Sequence, residues 1–253
     1  MIHVVEIFRS IQGEGSNAGR PSVFVRFGLC NLTCPGFGCT ETAPDGTEIL
    51  GCDSIHAVSS KFINQWTKYH NFIELTNDIN NEIIDGQVKD DIIITGGEPM
   101  IHTHNEIFRN MIKYYTTRGH QVYIETNATQ TVDFEKYPEL KKVIFTMSIK
   151  LASSGHTRNE TIKPDVIDSY IANTTGSSFK FVLNKDTLEE TERDIQHILK
   201  SVPSYAEVYV MPMGETTEEL QVHALPTFNV AMKYGFNYSD RLHIRLFEDL
   251  KGV

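Results

Sequence analysis

The 253-residue chain contains no run of eighteen apolar residues, which excludes a conventional transmembrane helix. Its opening stretch, MIHVVEIFRS, lacks the basic start and long apolar core of a signal peptide. It reads as a strand, and a cytoplasmic setting with no membrane partner is expected. Positive charge is also scarce: 23 Lys and Arg against 33 Asp and Glu give a formal net charge of −10. Such a surface is poorly suited to neutralising a phosphate backbone, so direct nucleic-acid binding is not expected. A small anionic substrate stays compatible, because a few buried arginines suffice to hold one. Only nine prolines occur, and no repeat, low-complexity tract or linker interrupts the chain. One domain over 1–253 is therefore expected.

Apolar patterning suggests alternating strands and helices. PSVFVRFG (21–28) is rich in β-branched and aromatic residues, and DIIIT (91–95) is the short continuous apolar run of a strand buried on both faces. QVYIET, KKVIFTMS, SFKFVL and AEVYVMP read as further strands, with RLHIRLF (241–247) as the last. Helical spacing marks 72–83, 105–119 with Gly119 closing it, 163–173 and 187–202; the stretch 216–235 is helical with a break at Pro226. This alternation predicts βα units around a parallel sheet.

Cysteine is rare but concentrated. Three of the four lie within CNLTCPGFGC, at Cys30, Cys34 and Cys39, and Cys52 follows in GCDS. Clustered cysteines in a cytosolic chain more often hold metal or perform redox chemistry than form disulfides. The gaps of three, four and twelve residues lack the Cys-x-x-Cys pairs usual in zinc modules. Three thiolates on an iron–sulfur cluster are the other reading, with soft ligands of the right kind. Spacing alone leaves both open.

Cys30-x3-Cys34, the later CDS and TGGEP at the end of a strand together resemble the radical S-adenosylmethionine superfamily. The flanking FRSIQGEGSNAGRPSVFVRFGLCNLTC, with GCDS, ITGGEP, IETN and VMPMG, resembles its 7-carboxy-7-deazaguanine synthase family, over residues 8 to 214. The resemblance implies an incomplete parallel (β/α) barrel of the radical S-adenosylmethionine type. It implies conversion of 6-carboxy-5,6,7,8-tetrahydropterin to 7-carboxy-7-deazaguanine with loss of ammonia, on the route to queuosine and related deazaguanines. A [4Fe-4S] cluster, S-adenosyl-L-methionine and Mg²⁺ are the implied cofactors; a homodimer and an electron donor such as flavodoxin are the implied partners. The chain departs from the family in its loop. Members usually place the last two cluster cysteines two residues apart, whereas PGFGCTETAPDGTEILG separates Cys34 from Cys52 here and adds Cys39. Because CDS follows Cys52, the resemblance assigns the cluster to Cys30, Cys34 and Cys52, within an enlarged loop over about 30–54. Cys39 in place of Cys52 is the alternative.

The same resemblance places other roles. Gly96, Gly97 and Glu98 meet the methionyl group of the cofactor. Asp53, Ser148, Ile149, Lys150, Met211, Pro212, Met213 and Gly214 supply its remaining contacts, although members more often carry a proline where Ile149 stands. Ile11, Gln12, Gly13 and Thr95 line the pterin, and Val253 reaches it through the terminal carboxylate. Arg26, whose fork suits bidentate binding, meets the substrate carboxylate. Ser54 offers Mg²⁺ a hydroxyl, a sensible donor to a hard cation; on sequence alone it could equally cap a helix starting at Ile55. Gln12 and Glu14 could likewise form a solvated turn, and Arg26 could be a surface cation. Two competing functions are a glycyl-radical enzyme activase and a non-catalytic, zinc-stapled binding module.

Overall fold

The computed structural model describes residues 1–248, 250 and 252. Its strands in chain order are β1 (Ile2–Ile11), β2 (Pro21–Phe27), β3 (Cys39–Thr42), β4 (Glu48–Gly51), β5 (Thr67–Tyr69), β6 (Asp91–Gly96), β7 (Val122–Thr126), β8 (Ile144–Met147), β9 (Ser178–Leu183), β10 (Glu207–Pro212) and β11 (Asn237–Tyr238). The helices are α1 (Ile55–Val58), α2 (Phe72–Glu82), α3 (Glu106–Thr117), α4 (Arg158–Thr161), α5 (Pro164–Asn173), α6 (Leu188–Ser201), α7 (Thr217–Tyr234) and α8 (Leu242–Phe247).

Nine strands form one open sheet in the order β11-β10-β9-β8-β7-β6-β2-β1-β5. From β2 to β11 every pairing is parallel. The sequential order β6 to β10 is that of a (β/α) barrel, left unclosed by its two edges. β1 is the exception to the expected parallel sheet. Only nine residues join it to β2, too few for a crossover, so the two pair antiparallel.

Strand periodicity gives the sheet two unlike faces. Val23, Val25, Phe27, Ile92, Ile94, Val122, Ile124, Phe179 and Phe181 pack with Leu75, Phe108, Ile112, Ile167 and Ile198 of the helices. The intervening residues point to the other face. A bulge between Val4 and Glu6 sets Glu6 opposite Arg26, and register continues to Thr95; Glu125 in turn lies opposite Thr146. Thr95 donates to Glu125 at 3.0 Å, joining the two halves of a polar row on that face.

Two expectations are corrected. RLHIRLF is helix α8, not a strand: β11 already occupies the edge beside β10, and only Ile244 of the segment is buried. Arg241 and Arg245, one helical turn apart, instead reach Glu14 and Asp240. α7 runs unbroken through Pro226. The carbonyl that loses its donor belongs to Val222, whose exposed position lets water replace the bond. The insertion in the cysteine loop goes out and returns, as its turn-forming residues suggest. β3 and β4 form an antiparallel hairpin that pairs Cys39 with Gly51. It rests on a second, small core of Ala43, Ile55, Phe62 and Trp66. Among the described residues no helix is long and apolar enough to cross a membrane.

Candidate functional site

The TGGEP turn is laced to the segment leading into Cys30. Gly97 N–H donates to the Phe27 carbonyl at 3.1 Å, and Glu98 N–H to that of Leu29 at 2.9 Å. Both glycines are demanded by this approach. A Cβ on Gly96, where φ is 131°, would lie 2.1 Å from Phe27 O, and one on Gly97 would lie 2.0 Å from Leu29 O. The Glu98 carboxylate turns inward, fully buried, and accepts from Asn127 N at 2.6 Å, Thr126 Oγ1 at 2.7 Å and Met100 N at 3.0 Å. Burial pushes its pKa up against those three donors. Its side chain thus fixes the turn from within.

Burial pushes the Cys30 thiol up to about 12 and the Cys34 thiol up to about 11, and raises those of Cys39 and Cys52. Against burial, the Lys150 ammonium pulls down Cys30, Cys34 and Cys52. Cys39, in the hairpin, instead feels the carboxylates of Asp53 and Glu215. Lys150 Nζ also donates to Ser148 Oγ at 3.3 Å, which ties the SIK segment to the thiols. Ile149 between them is buried in the main core, so it offers the site its backbone only; Met211 at the end of β10 is buried outside that core, on the face opposite Val208 and Val210. Among the described residues, no three His, Cys, Asp or Glu side chains gather around a single ion position.

A network that sequence reasoning missed crosses the polar face of the sheet. Thr95 donates to Glu125; Lys180 donates to Glu125 at 3.0 Å and to Glu14 at 2.7 Å. Glu14 also accepts from Arg241 Nε at 2.8 Å, and Arg241 reaches the Gly214 carbonyl at 2.5 Å. It thereby links Thr95, the QGEG loop and the MPMG segment. Burial alone would raise the Glu14 pKa, yet the Lys180 ammonium and the Arg241 guanidinium hold it well below the carboxylate range. Glu125 and Glu14 raise Lys180 in the same way, overcoming its burial. The clue in the sequence was a lone lysine inside the apolar strand SFKFVL. Glu14 is no solvated turn residue.

The QGEG loop is fixed from both sides. Gln12 is buried, donates through its backbone N–H to Arg20 O at 2.8 Å and accepts at Oε1 from Glu14 N. Gly13 accepts from Leu242 N, and a Cβ there would lie 2.1 Å from His243 Nδ1. Burial lowers the pKa of that histidine, which lies 3.9 Å from Glu14. Ile11 ends β1 beside the loop. Arg26 lies on the polar face, with Nε on Glu6 at 2.6 Å. Ser54 precedes α1 without capping it and donates to the Asp53 carboxylate at 3.0 Å. Pro212 is buried, Met213 is exposed, and Met213 N–H donates to Leu183 O at 3.0 Å. Val253 lies outside the described residues.

No protein-family profile matches the chain. The 7-carboxy-7-deazaguanine synthase of Halobacterium salinarum is 28% identical, across 96% of this chain and 90% of its own length. That of Pyrobaculum aerophilum is 28% identical across 99% and 97%. The chain is a relative of the 7-carboxy-7-deazaguanine synthases. The Haemophilus influenzae synthase reaches 35% identity over about half of each chain, 51% of this one and 47% of its own. In fold, the chain is similar to QueE from Escherichia coli, with a TM-score of 0.65 at 17% identity over 94% and 93% of the two chains.

Proposed function

We propose that the chain is a radical S-adenosylmethionine enzyme that converts 6-carboxy-5,6,7,8-tetrahydropterin to 7-carboxy-7-deazaguanine with release of ammonia, for queuosine or related deazaguanine biosynthesis. The observation that carries this reading is the lacing of Gly97 and Glu98 to Phe27 and Leu29. It sets the expected cofactor turn against the first expected cluster ligand, in a chain related to these synthases from end to end.

The donor set fits a cluster. Burial raises the thiols of Cys30, Cys34 and Cys52 and the Lys150 ammonium partly offsets it at all three, and cysteine sulfurs are the usual ligands of iron–sulfur clusters. A structural zinc gathers four donors at roughly 2.0–2.3 Å around one point, whereas a cluster spreads its cysteines over separate irons. Cys30, Cys34 and Cys52 would hold the cluster, which, once bound and reduced by a donor such as flavodoxin, would supply the electron for cleavage of S-adenosylmethionine to methionine and a 5′-deoxyadenosyl radical.

The chain's own residues bind and orient. Glu6 holds Arg26 by Nε, which leaves the terminal nitrogens of the guanidinium to take a substrate carboxylate. Thr95 and Glu125 present a hydroxyl and a carboxyl group beside it, as a flat, hydrogen-bonding pterin requires. Lys180 and Arg241 keep Glu14 charged beneath the QGEG loop. Ser54, whose hydroxyl lies 3.0 Å from the Asp53 carboxylate, would offer Mg²⁺ an oxygen donor. A homodimer is part of the same reading.

Anaerobic reconstitution with iron and sulfide, then incubation with S-adenosylmethionine, reductant, Mg²⁺ and the pterin, tests this reading by mass spectrometry. 7-Carboxy-7-deazaguanine is the expected product. Cys30→Ala, Cys34→Ala and Cys52→Ala should each abolish cofactor cleavage, and Cys39→Ala should retain it. Cofactor cleavage with the pterin left untouched would overturn the substrate. An active Cys52→Ala beside a dead Cys39→Ala would overturn the ligand assignment.

A further inference from the structure

We infer that the turn over residues 152–157 clamps the second cluster cysteine, with His156 as the positioning residue for Cys34. The inference rests on the cluster assignment proposed above. Cys34 has φ 48° and ψ 54°, the left-handed region that a residue with a Cβ occupies only where its surroundings impose it. The imposing group is His156: Cys34 N–H donates to its Nε2 at 3.1 Å. Nε2 therefore carries the lone pair and Nδ1 the proton, on the side facing Glu160 at 3.8 Å.

Two residues further on, the backbones of the two segments meet directly. A Cβ on Gly36 would lie 2.3 Å from Ser153 O and 2.5 Å from Gly155 N. A Cβ on Gly155 would lie 2.8 Å from Gly36 N. The turn is anchored from behind. Asp194, fully buried on α6, accepts from Ala152 N at 2.9 Å and from Arg158 Nε at 2.7 Å. Glu160 closes a capping box with Thr157. Two residues before the turn stands Lys150, whose ammonium acts on Cys30, Cys34 and Cys52.

The purpose follows from the hairpin. Its insertion lengthens the chain between Cys34 and Cys52, and a longer loop costs more entropy to close around a common ligand. Fixing Cys34 from outside the loop removes part of that cost. The clamp does what close spacing of the cysteines does in a shorter loop.

Amide hydrogen exchange of the metal-free protein reads the clamp directly. In His156→Leu, which keeps bulk but loses the acceptor, the Cys34 amide should exchange roughly 3- to 10-fold faster, the factor that one net hydrogen bond provides. His156→Gln restores an acceptor and should recover protection. After anaerobic reconstitution, iron release to a chelator should accelerate by a similar factor in His156→Leu and stay near wild type in His156→Gln. Gly36→Ala, which leaves His156 untouched, should reproduce the His156→Leu behaviour, and decides the matter should His156→Leu fail to fold. Wild-type exchange and iron release in His156→Leu would overturn the inference. So would equal impairment of the Leu and Gln variants, which would reduce the ring to a space filler. A wild type that takes up no iron and sulfide would sink the cluster assignment instead, while the exchange measurement still reports whether His156 holds Cys34.

Discussion

Replacing Lys180 by Met removes one ammonium from between two carboxylates. The Lys180 side chain is 8% exposed, Glu14 13% and Glu125 22%, so neither acid can recover full hydration from solvent. Glu14 keeps Arg241, but Glu125 is left with only the Thr95 hydroxyl among the partners described above. Breaking a buried pair by deleting one partner costs about 3–5 kcal/mol. For a chain of this size that lowers Tm by about 6–20 °C. Thermal and urea unfolding of the metal-free protein at pH 7 would measure it. The pH dependence adds a second reading. Glu14's folded pKa lies below its unfolded value, near 4.3. Its contribution is thus complete above that range and is lost as the pH falls through the folded pKa. Lys180→Met raises that folded pKa, so the variant should lose this contribution at a higher pH than wild type. Lys180→Met with Glu125→Gln should recover about 0.5–3 kcal/mol relative to additivity. Wild-type stability in Lys180→Met, or strict additivity in the double variant, would refute the network.

Arg26→Lys should raise KM for the pterin or lower turnover by the equivalent of about 2–5 kcal/mol, with uncoupled cleavage of S-adenosylmethionine surviving; steady-state kinetics with both products quantified would check it. Normal pterin turnover in that variant would show that the substrate carboxylate is anchored elsewhere. Ser54→Ala should lose most Mg²⁺ stimulation of product formation with iron content and cofactor binding near wild type, and chelator-treated wild type should behave like it. Full stimulation surviving in Ser54→Ala would move the metal to another site.

The parallel strands β2 and β6 to β10 were legible because each is a short apolar run or an alternation, and those patterns are set by burial on both faces of a sheet; the exposed two-residue β11 carries no such pattern. The GGEP turn and the cysteine loop were legible as residue types, but their geometry was not. That Gly96 and Gly97 are required by Phe27 and Leu29 of the same chain is a long-range packing fact with no local signature. RLHIRLF misled because its apolar residues partly alternate, while its conformation is decided by Glu14, more than two hundred residues earlier, and by the edge already taken by β11. The polar network was hidden for a similar reason. Glu14, Glu125, Lys180 and Arg241 sit in four separate segments, and only the register of the sheet makes neighbours of them.

The two hydrophobic cores differ greatly in extent, and this bears on how the protein acquires its metal. Local opening follows the number of buried apolar contacts that must be broken. The main core ties every βα unit together, whereas the hairpin and α1 lean on Ala43, Ile55, Phe62 and Trp66 with a few half-buried neighbours. The hairpin is therefore the segment expected to open at the lowest cost, while α1 is held to the sheet side by Leu29 N–H on Ala57 O at 2.7 Å. Cys30 and Cys34 would remain attached to the rigid side, through the GGEP lacing and His156, and Cys52 would travel with the hairpin. Assembly would then run in a set order, two sulfurs waiting and the third arriving as the small core closes.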